Sequence, residues 1–207
     1  MPSMKIQIKN VVFDLGGVLV DWNPRYLFRK VFQSPEKMEH FLTTVVTQEW
    51  NEKQDGGRSF AEGIAELIAE FPEFKNEIEI YDRRWEEMLK GPIHPTVKIL
   101  ERLSASGSHR LLALSNWSSD KFPYAEQSFP FLKLFEGIVV SGRIGMKKPD
   151  PRIFLHLCEE HNVQPQESVF IDDVLVNIEA AQKLGFCTVH YQSSEQLEAQ
   201  LVKMGVL

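Results

Sequence analysis

Four short segments carry side chains whose types and spacing could do chemistry. In Asp14-Leu15-Gly16-Gly17-Val18 a carboxylate precedes two glycines, Gly16 and Gly17, which let the backbone turn tightly beside a ligand. Ser115-Asn116-Trp117-Ser118 offers hydroxyl and amide groups suited to an anion. Gly145-Met146-Lys147-Lys148-Pro149-Asp150-Pro151 delivers lysine next to a proline-fixed helix start. Asp172 and Asp173 are adjacent carboxylates, and crowded at a sheet edge they would repel each other unless a cation relieved them. Singly, each segment has an ordinary reading as a turn, a helix cap or a solvated surface. Gathered on one edge, they would bring together three carboxylates, a lysine and hydroxyl or amide donors, a magnesium-plus-phosphate constellation.

The elements that must position them are legible in the periodicity. Predicted strands are Ile8 with Val11-Val12-Phe13, Leu111-Leu112-Ala113-Leu114, Ile138-Val139-Val140, Ser168-Val169-Phe170-Ile171 and Cys187-Thr188-Val189-His190-Tyr191. Each reactive segment follows one of the first four. Helix-period stretches such as Val97/Leu100/Leu103, Phe154/Leu157/Cys158 and Ile178/Ala181/Leu184 lie between the later strands, the last stopped by Gly185. Alternating strands and helices predict a doubly wound parallel α/β sheet whose strand C-terminal ends share one edge, where such sheets bind ligands. Residues 21–90 differ, with helix-period segments at 25–31, 36–50, 60–71 and 74–89 and little strand pattern. They predict a helical domain inserted into a core made of residues 1–20 and 91–207. Asp21-Trp22-Asn23-Pro24 marks the exit, and Gly91-Pro92 with Pro95 brackets the return. Leu197, Leu201 and Met204 predict a final docking helix.

Composition narrows the class. At 207 residues, 43% hydrophobic, 11% aromatic and 25% charged, the chain is an ordinary globular sequence. Lys and Arg total 23 against 29 Asp and Glu, a net charge of -6 that argues against nucleic-acid or anionic-membrane partners. Cys158 and Cys187 have no Cys-x-x-Cys spacing, so neither a zinc site nor a disulfide framework is expected, in keeping with a reducing compartment. The opening residues lack a continuous apolar core and no apolar run approaches the roughly 20 residues of a bilayer span, so a cytoplasmic location is expected.

The order Phe13-Asp14-Leu15-Gly16-Gly17-Val18-Leu19, Leu114-Ser115-Asn116, Gly145-x-x-Lys148-Pro149-Asp150-Pro151-x-Ile153-Phe154 and Phe170-Ile171-Asp172-Asp173-x-x-x-Asn177 resembles the four motifs of the haloacid dehalogenase superfamily. The inserted segment is similar to the small all-helical cap domain of its phosphatase and dehalogenase branch, and Gln54-Asp55-Gly56-Gly57-Arg58-Ser59 resembles the substrate-facing cap loop. The resemblance implies a Rossmann-like core and a hydrolase acting on a small phosphorylated metabolite, as a monomer or homodimer. Asp14 would be the nucleophile, forming an aspartyl-phosphate that water hydrolyses. It also implies Mg2+ held by Asp14, the Gly16 carbonyl and Asp173, with Asp172 holding a coordinated water or standing behind it. Ser115, Asn116 and Lys148 would take the phosphoryl charge, and Gly17 and Trp117 would border the substrate.

Gly16 departs from the pattern. Phosphatases of this family usually carry there a second Asp that protonates the leaving group and then activates water. Glycine still supplies the backbone oxygen but no proton, and losing a general acid or base costs roughly 10²–10⁴-fold. Three explanations stand open: a substrate that departs readily, such as an acyl or anomeric phosphate; a substitute acid; or a chain with little catalytic activity. Asp21, Glu52, Asp55 and His94 are the candidate substitutes. Trp22, Trp50 and Trp117 could wall the pocket, with Trp117 favoured and Trp50 and Trp85 assigned to cap packing. Arg25 and Arg58 could meet a second anionic group. Two other functions compete: a phosphometabolite-binding regulatory protein, and a metal-independent 2-haloacid dehalogenase. The dehalogenase suits the missing acid, since halide needs no proton, but dehalogenases of this type usually place Tyr at the position of Gly16 and Ser-x-Asn-like residues at Asp172-Asp173.

Overall fold

The computed structural model describes residues 7–207, so the opening residues that entered the localisation expectation lie, apart from Gln7, outside the described ones. Its strands are β1 (Asn10–Phe13), β2 (Val20–Trp22), β3 (Leu89–Pro92), β4 (Arg110–Ser115), β5 (Gly137–Val140), β6 (Ser168–Asp172) and β7 (Cys187–His190). Five form one parallel sheet in the order β5-β4-β1-β6-β7. β1 is central because the chain adds strands first on one side of it and then on the other. That reversal makes the crevice at its carboxyl end the natural ligand site.

Strand side chains alternate between two apolar cores. Val11, Phe13, Leu111, Ala113, Val169 and Ile171 point to one face, and Val12, Leu112, Leu114 and Phe170 to the other. Burial on both faces is what a parallel sheet requires, and explains why these strands are continuously apolar.

The helices are α1 (Arg25–Val31), α2 (Pro35–His40), α3 (Gln48–Asp55), α4 (Phe60–Glu70), α5 (Lys75–Arg83), α6 (His94–Ser106), α7 (Phe122–Ser128), α8 (Ser141–Ile144), α9 (Pro151–His161), α10 (Leu175–Lys183) and α11 (Ser194–Met204). Val97, Leu100 and Leu103 of α6, with Leu197 and Leu201 of α11, cover the first face. Ile153, Phe154 and Leu157 of α9, with Ile178 and Ala181 of α10, cover the second. Asp150 caps α9 by accepting from Arg152 N at 2.9 Å, with Pro151 in its first turn, which fixes where the Lys148 segment ends.

Two details differ from the sequence reading. The single helix expected over 36–50 breaks into α2, a π-turn (Phe41–Val45) and α3. The β-branched run Thr43-Thr44-Val45-Val46-Thr47 weakens helix propensity, and the Thr47 side chain starts α3 anew by accepting from Trp50 N at 3.1 Å. The helix expected over 74–89 ends at Arg83, passes through a 3-10 turn (Trp85–Met88) and becomes β3, which pairs antiparallel with β2. This two-stranded ribbon stands where the helical segment leaves and rejoins the sheet.

Candidate active site

Asp14 N extends the central ladder by donating to Ile171 O at 2.8 Å, so its carboxylate leaves the sheet at the middle of the edge. Leu15 N donates to Asp14 Oδ1 at 2.7 Å. The turn that follows depends on Gly17, which has φ +71° and lies so close to Asp173 that a Cβ there would collide with the Asp173 carboxylate. Gly16 is unlike it: a Cβ there would meet nothing within 4 Å.

Lys148 crosses to this edge from the loop before α9 and is wholly buried. Its Nζ lies 2.9 Å from Asp14 Oδ1 and 2.7 Å from Asp172 Oδ2. Asp172 also accepts from Val174 N at 2.8 Å and from Asn177 Nδ2 at 3.1 Å on each oxygen, which fixes its carboxylate at the end of β6. Asp14, Asp172 and Asp173 each offer an oxygen, all within 4.8 Å of one another. Three carboxylates then face one ammonium.

Burial and that excess together shift the ionisation of these groups. Burial pushes the Asp14 carboxyl up to about 7; Lys148 opposes this, while Asp172 and Asp173 add to it. Asp173 is also raised, by burial and then by Asp172. Burial alone would lower the Lys148 ammonium, but the two carboxylates more than reverse it, and it stays charged. A small hard cation with oxygen ligands would neutralise what Lys148 leaves over, so the donor set fits magnesium.

Ser115 ends β4 with a fully buried hydroxyl that has no hydrogen-bond partner, a polar group ready for an anion's oxygen. The Asn116 side chain is engaged: Nδ2 donates to Lys148 O at 2.9 Å and Oδ1 accepts from Lys148 N at 2.8 Å. Trp117 is buried, packs on Trp85 with ring centroids 5.8 Å apart, and with Trp22 and Trp85 borders a cavity of about 110 Å³ that Gly16 also lines. Trp50 packs inside the helical layer against Phe60 and Tyr81, as expected, whereas Trp85 reaches the cavity. A larger cavity of about 760 Å³ opens beside it, bordered by Trp22, Leu42, Val46, Tyr81, Lys148 and Val174.

Neither candidate arginine is free for an anion. Arg25 forks onto Glu39 at 2.7 and 2.5 Å, and Arg58 bonds Gln54 Oε1 at 2.6 Å and pairs with Glu66. The sequence reading missed Ser141, the first residue of α8. Its hydroxyl accepts from Trp117 N at 3.0 Å and donates to Asp55 O at 2.6 Å, joining the sheet edge to the end of α3. The available signal was Gly142 directly after it, where a side chain would strike the backbone of Trp117 and Ser118.

A family model for haloacid dehalogenase-like hydrolases matches residues 8–185, nearly the whole chain. The chain belongs to this family. A haloacid dehalogenase-like hydrolase of this length finds relatives that align almost end to end. The sesquiterpene phosphatase astK of Aspergillus oryzae is 25% identical over 90% of this chain and 91% of that protein. The phosphorylated carbohydrates phosphatase of Thermotoga maritima is 28% identical over 84% and 81%. A HAD family enzyme of Bacteroides thetaiotaomicron, solved in complex with magnesium and inorganic phosphate, superposes with TM-score 0.67 at 27% identity, covering 89% of this chain and 94% of that one. Other relatives are longer proteins, and the chain spans 36% and 23% of two of them. Among the described residues, no helix is long and apolar enough to cross a membrane.

Proposed function

We propose that this hydrolase is a magnesium-dependent phosphatase that cleaves a small phosphorylated metabolite through a phosphorylated Asp14. The observation that carries the reading is the Lys148 ammonium, buried and shared between Asp14 at 2.9 Å and Asp172 at 2.7 Å, with Asp173 alongside. An Asp14 oxygen attacks phosphorus, the bond to the leaving oxygen breaks, and water then cleaves the acyl phosphate to release inorganic phosphate and restore the carboxylate. Asp14, Asp173 and the Gly16 carbonyl would hold Mg2+, with Asp172 standing behind them, and the bound ion would offset the repulsion between the Asp14 carboxylate and a phosphate dianion. Lys148 opposes the upward shift of the Asp14 carboxyl and orients it, and with the Ser115 hydroxyl it stabilises charge on the phosphoryl oxygens. Asn116 secures the lysine segment, and Gly17 and Trp117 border the substrate.

In this reading residues 1–20 and 91–207 form the core that does the chemistry, and residues 21–90 the cap that excludes water and selects the metabolite. Phosphatase relatives support the reaction class, and the relative solved with magnesium and phosphate supports the metal. The adjacent Asp172 and Asp173 favour phosphoryl transfer over dehalogenation.

Purified protein assayed with Mg2+ against alkyl, sugar, nucleotide and acyl phosphates should release inorganic phosphate, and the release should stop with chelator or with Asp14→Asn. Halide release from 2-haloacids without metal would establish the dehalogenase instead. Tight metabolite binding without turnover would establish a regulatory protein.

A further inference from the structure

Gly16 leaves the proposed reaction without a proton donor, and the structure separates the four candidates for that duty. Asp21 accepts the Tyr26 hydroxyl at 2.9 and 3.0 Å, faces Lys90 at 3.8 Å and borders neither cavity described above. His94 opens α6 and also borders neither. Glu52 borders the larger cavity, but its carboxylate is paired with Lys147 at 2.5 Å. Asp55 borders both cavities, and the smaller one is the one that Gly16 lines.

We propose that Asp55, the last residue of α3, is the general acid and base of this enzyme, supplying from the cap loop the proton that Gly16 cannot. The inference rests on the phosphatase reading. Three features of the seam carry it. Ser141 Oγ donates to Asp55 O at 2.6 Å, so a residue of the sheet edge fixes the backbone of this cap residue. The carboxylate accepts a long bond, 3.4 Å, from Asn51 Nδ2, while Asn51 Oδ1 is taken by the Tyr81 hydroxyl at 3.0 Å. The two lysines whose charge acts on it are committed elsewhere, Lys147 to Glu52 and Lys148 to Asp14 and Asp172. A carboxyl held in place without an ion-pair partner of its own is free to keep and exchange a proton.

The charges around it point the same way. Burial pushes the Asp55 carboxyl up to about 7; Lys147, Lys148 and the Ser118 backbone oppose this, and Glu52 adds to it. Tyr81, whose hydroxyl is raised by burial and by Asp55 itself, stays neutral. An acid that titrates near neutral pH is matched to both halves of a proton-transfer cycle. In the first half-reaction the Asp14–phosphorus bond forms, the phosphorus–oxygen bond to the leaving group breaks, and the Asp55 proton goes to the departing oxygen. In the second, Asp55 takes a proton from the attacking water as the acyl phosphate is cleaved, so phosphate and a protonated Asp55 are regenerated. Because Asp55 rides on the cap, the acid is complete only with the cap seated on the sheet edge.

The test is the dependence of Asp55→Asn on the leaving group, with Mg2+ present. For an alkyl phosphate such as glycerol phosphate, kcat/KM should fall by roughly 10²–10⁴-fold. For acetyl phosphate, whose leaving group needs no proton, kcat/KM should fall far less, and phosphorylated Asp14 should accumulate because water is no longer activated. The wild-type decline in alkyl-phosphate kcat/KM above about pH 7 should vanish in the variant. Adding Gly16→Asp to Asp55→Asn should restore part of the alkyl-phosphate turnover, which a purely structural defect would not allow. Equal losses for both substrates, or no loss, would overturn the assignment while leaving the phosphatase reading standing. Phosphate release that persists in Asp14→Asn would remove the phosphorylated-Asp14 route and this inference with it.

Discussion

Asn116 grips the backbone of Lys148 on both sides, its Nδ2 donating to the lysine carbonyl at 2.9 Å and its Oδ1 accepting from the lysine amide at 2.8 Å. The residue after β4 thereby sets the height at which a buried ammonium meets Asp14. Asn116→Ala should lower kcat on the order of 10²-fold with KM nearly unchanged, since misplacing a reacting group costs about that much. Steady-state kinetics decide the point: a raised KM at unchanged kcat would mean that Asn116 acts on ground-state substrate instead.

Removing the ammonium itself should be felt in stability. Lys148→Met leaves Asp14 and Asp172 buried without their cation, and breaking a buried pair costs about 3–5 kcal/mol. The loss should grow with pH. Without Lys148 the Asp14 carboxyl rises further above its ordinary value, and a group raised in the folded state gives stability at low pH that disappears as pH passes its folded pKa. Thermal unfolding of both proteins near pH 5 and near pH 8, without metal, checks this; a deficit that shrinks with rising pH would contradict it.

Much of this site was legible before the fold was known. Asp14, Ser115, Lys148 and Asp172 belong to segments that follow apolar runs, and a parallel sheet forces such segments to one edge. What escaped was set by contacts distant in sequence. Ser141 looks like an ordinary helix start, and its bond to Asp55 O spans 86 residues. Trp85 sits in a helix-period run, yet a 3-10 turn aims it at Trp117. The β2–β3 ribbon was hidden because its strands are only 3 and 4 residues long, and Lys-Gly-Pro reads as a turn. Asp55 is one of four candidate substitutes in the sequence, and the cavity it shares with Gly16 and its lack of an ion pair among the described residues, both set by the fold, single it out.

Metal should stabilise the folded chain. If Mg2+ binds the three carboxylates and not the unfolded protein, a concentration about 100 times Kd adds about 2.7 kcal/mol, several degrees in Tm for a chain of this size. Chelator should reverse the shift, and Asp173→Asn should abolish most of it. An equal shift in wild type and Asp173→Asn would place the ion elsewhere.

Restoring an acid at Gly16 is sterically open, since a Cβ there meets nothing within 4 Å. Gly16→Asp in the wild-type background should change turnover of alkyl and acyl phosphates little, because Asp55 already supplies the proton, and a large rise on alkyl phosphates alone would count against Asp55. A loss on both would mean that glycine is kept for the turn and not for chemistry.

Asp55 should also mark the stability profile. Its carboxyl is raised from 3.8 to about 7, so the stability it contributes is complete below about pH 4 and is lost as pH rises through 7. Asp55→Asn should therefore gain in Tm relative to wild type between about pH 5 and pH 8. A difference that is flat across that range would show that the carboxyl titrates normally.

The central claim is a covalent bond between Asp14 and phosphorus, and mass analysis of protein quenched in acid during turnover reads it directly. With Mg2+ and acetyl phosphate, the peptide containing Asp14 should carry the added mass of one phosphoryl group, and Asp14→Asn should carry none and release no phosphate. Sustained phosphate release from the wild type with that peptide unmodified at every quench time, and retained in Asp14→Asn, would contradict the account.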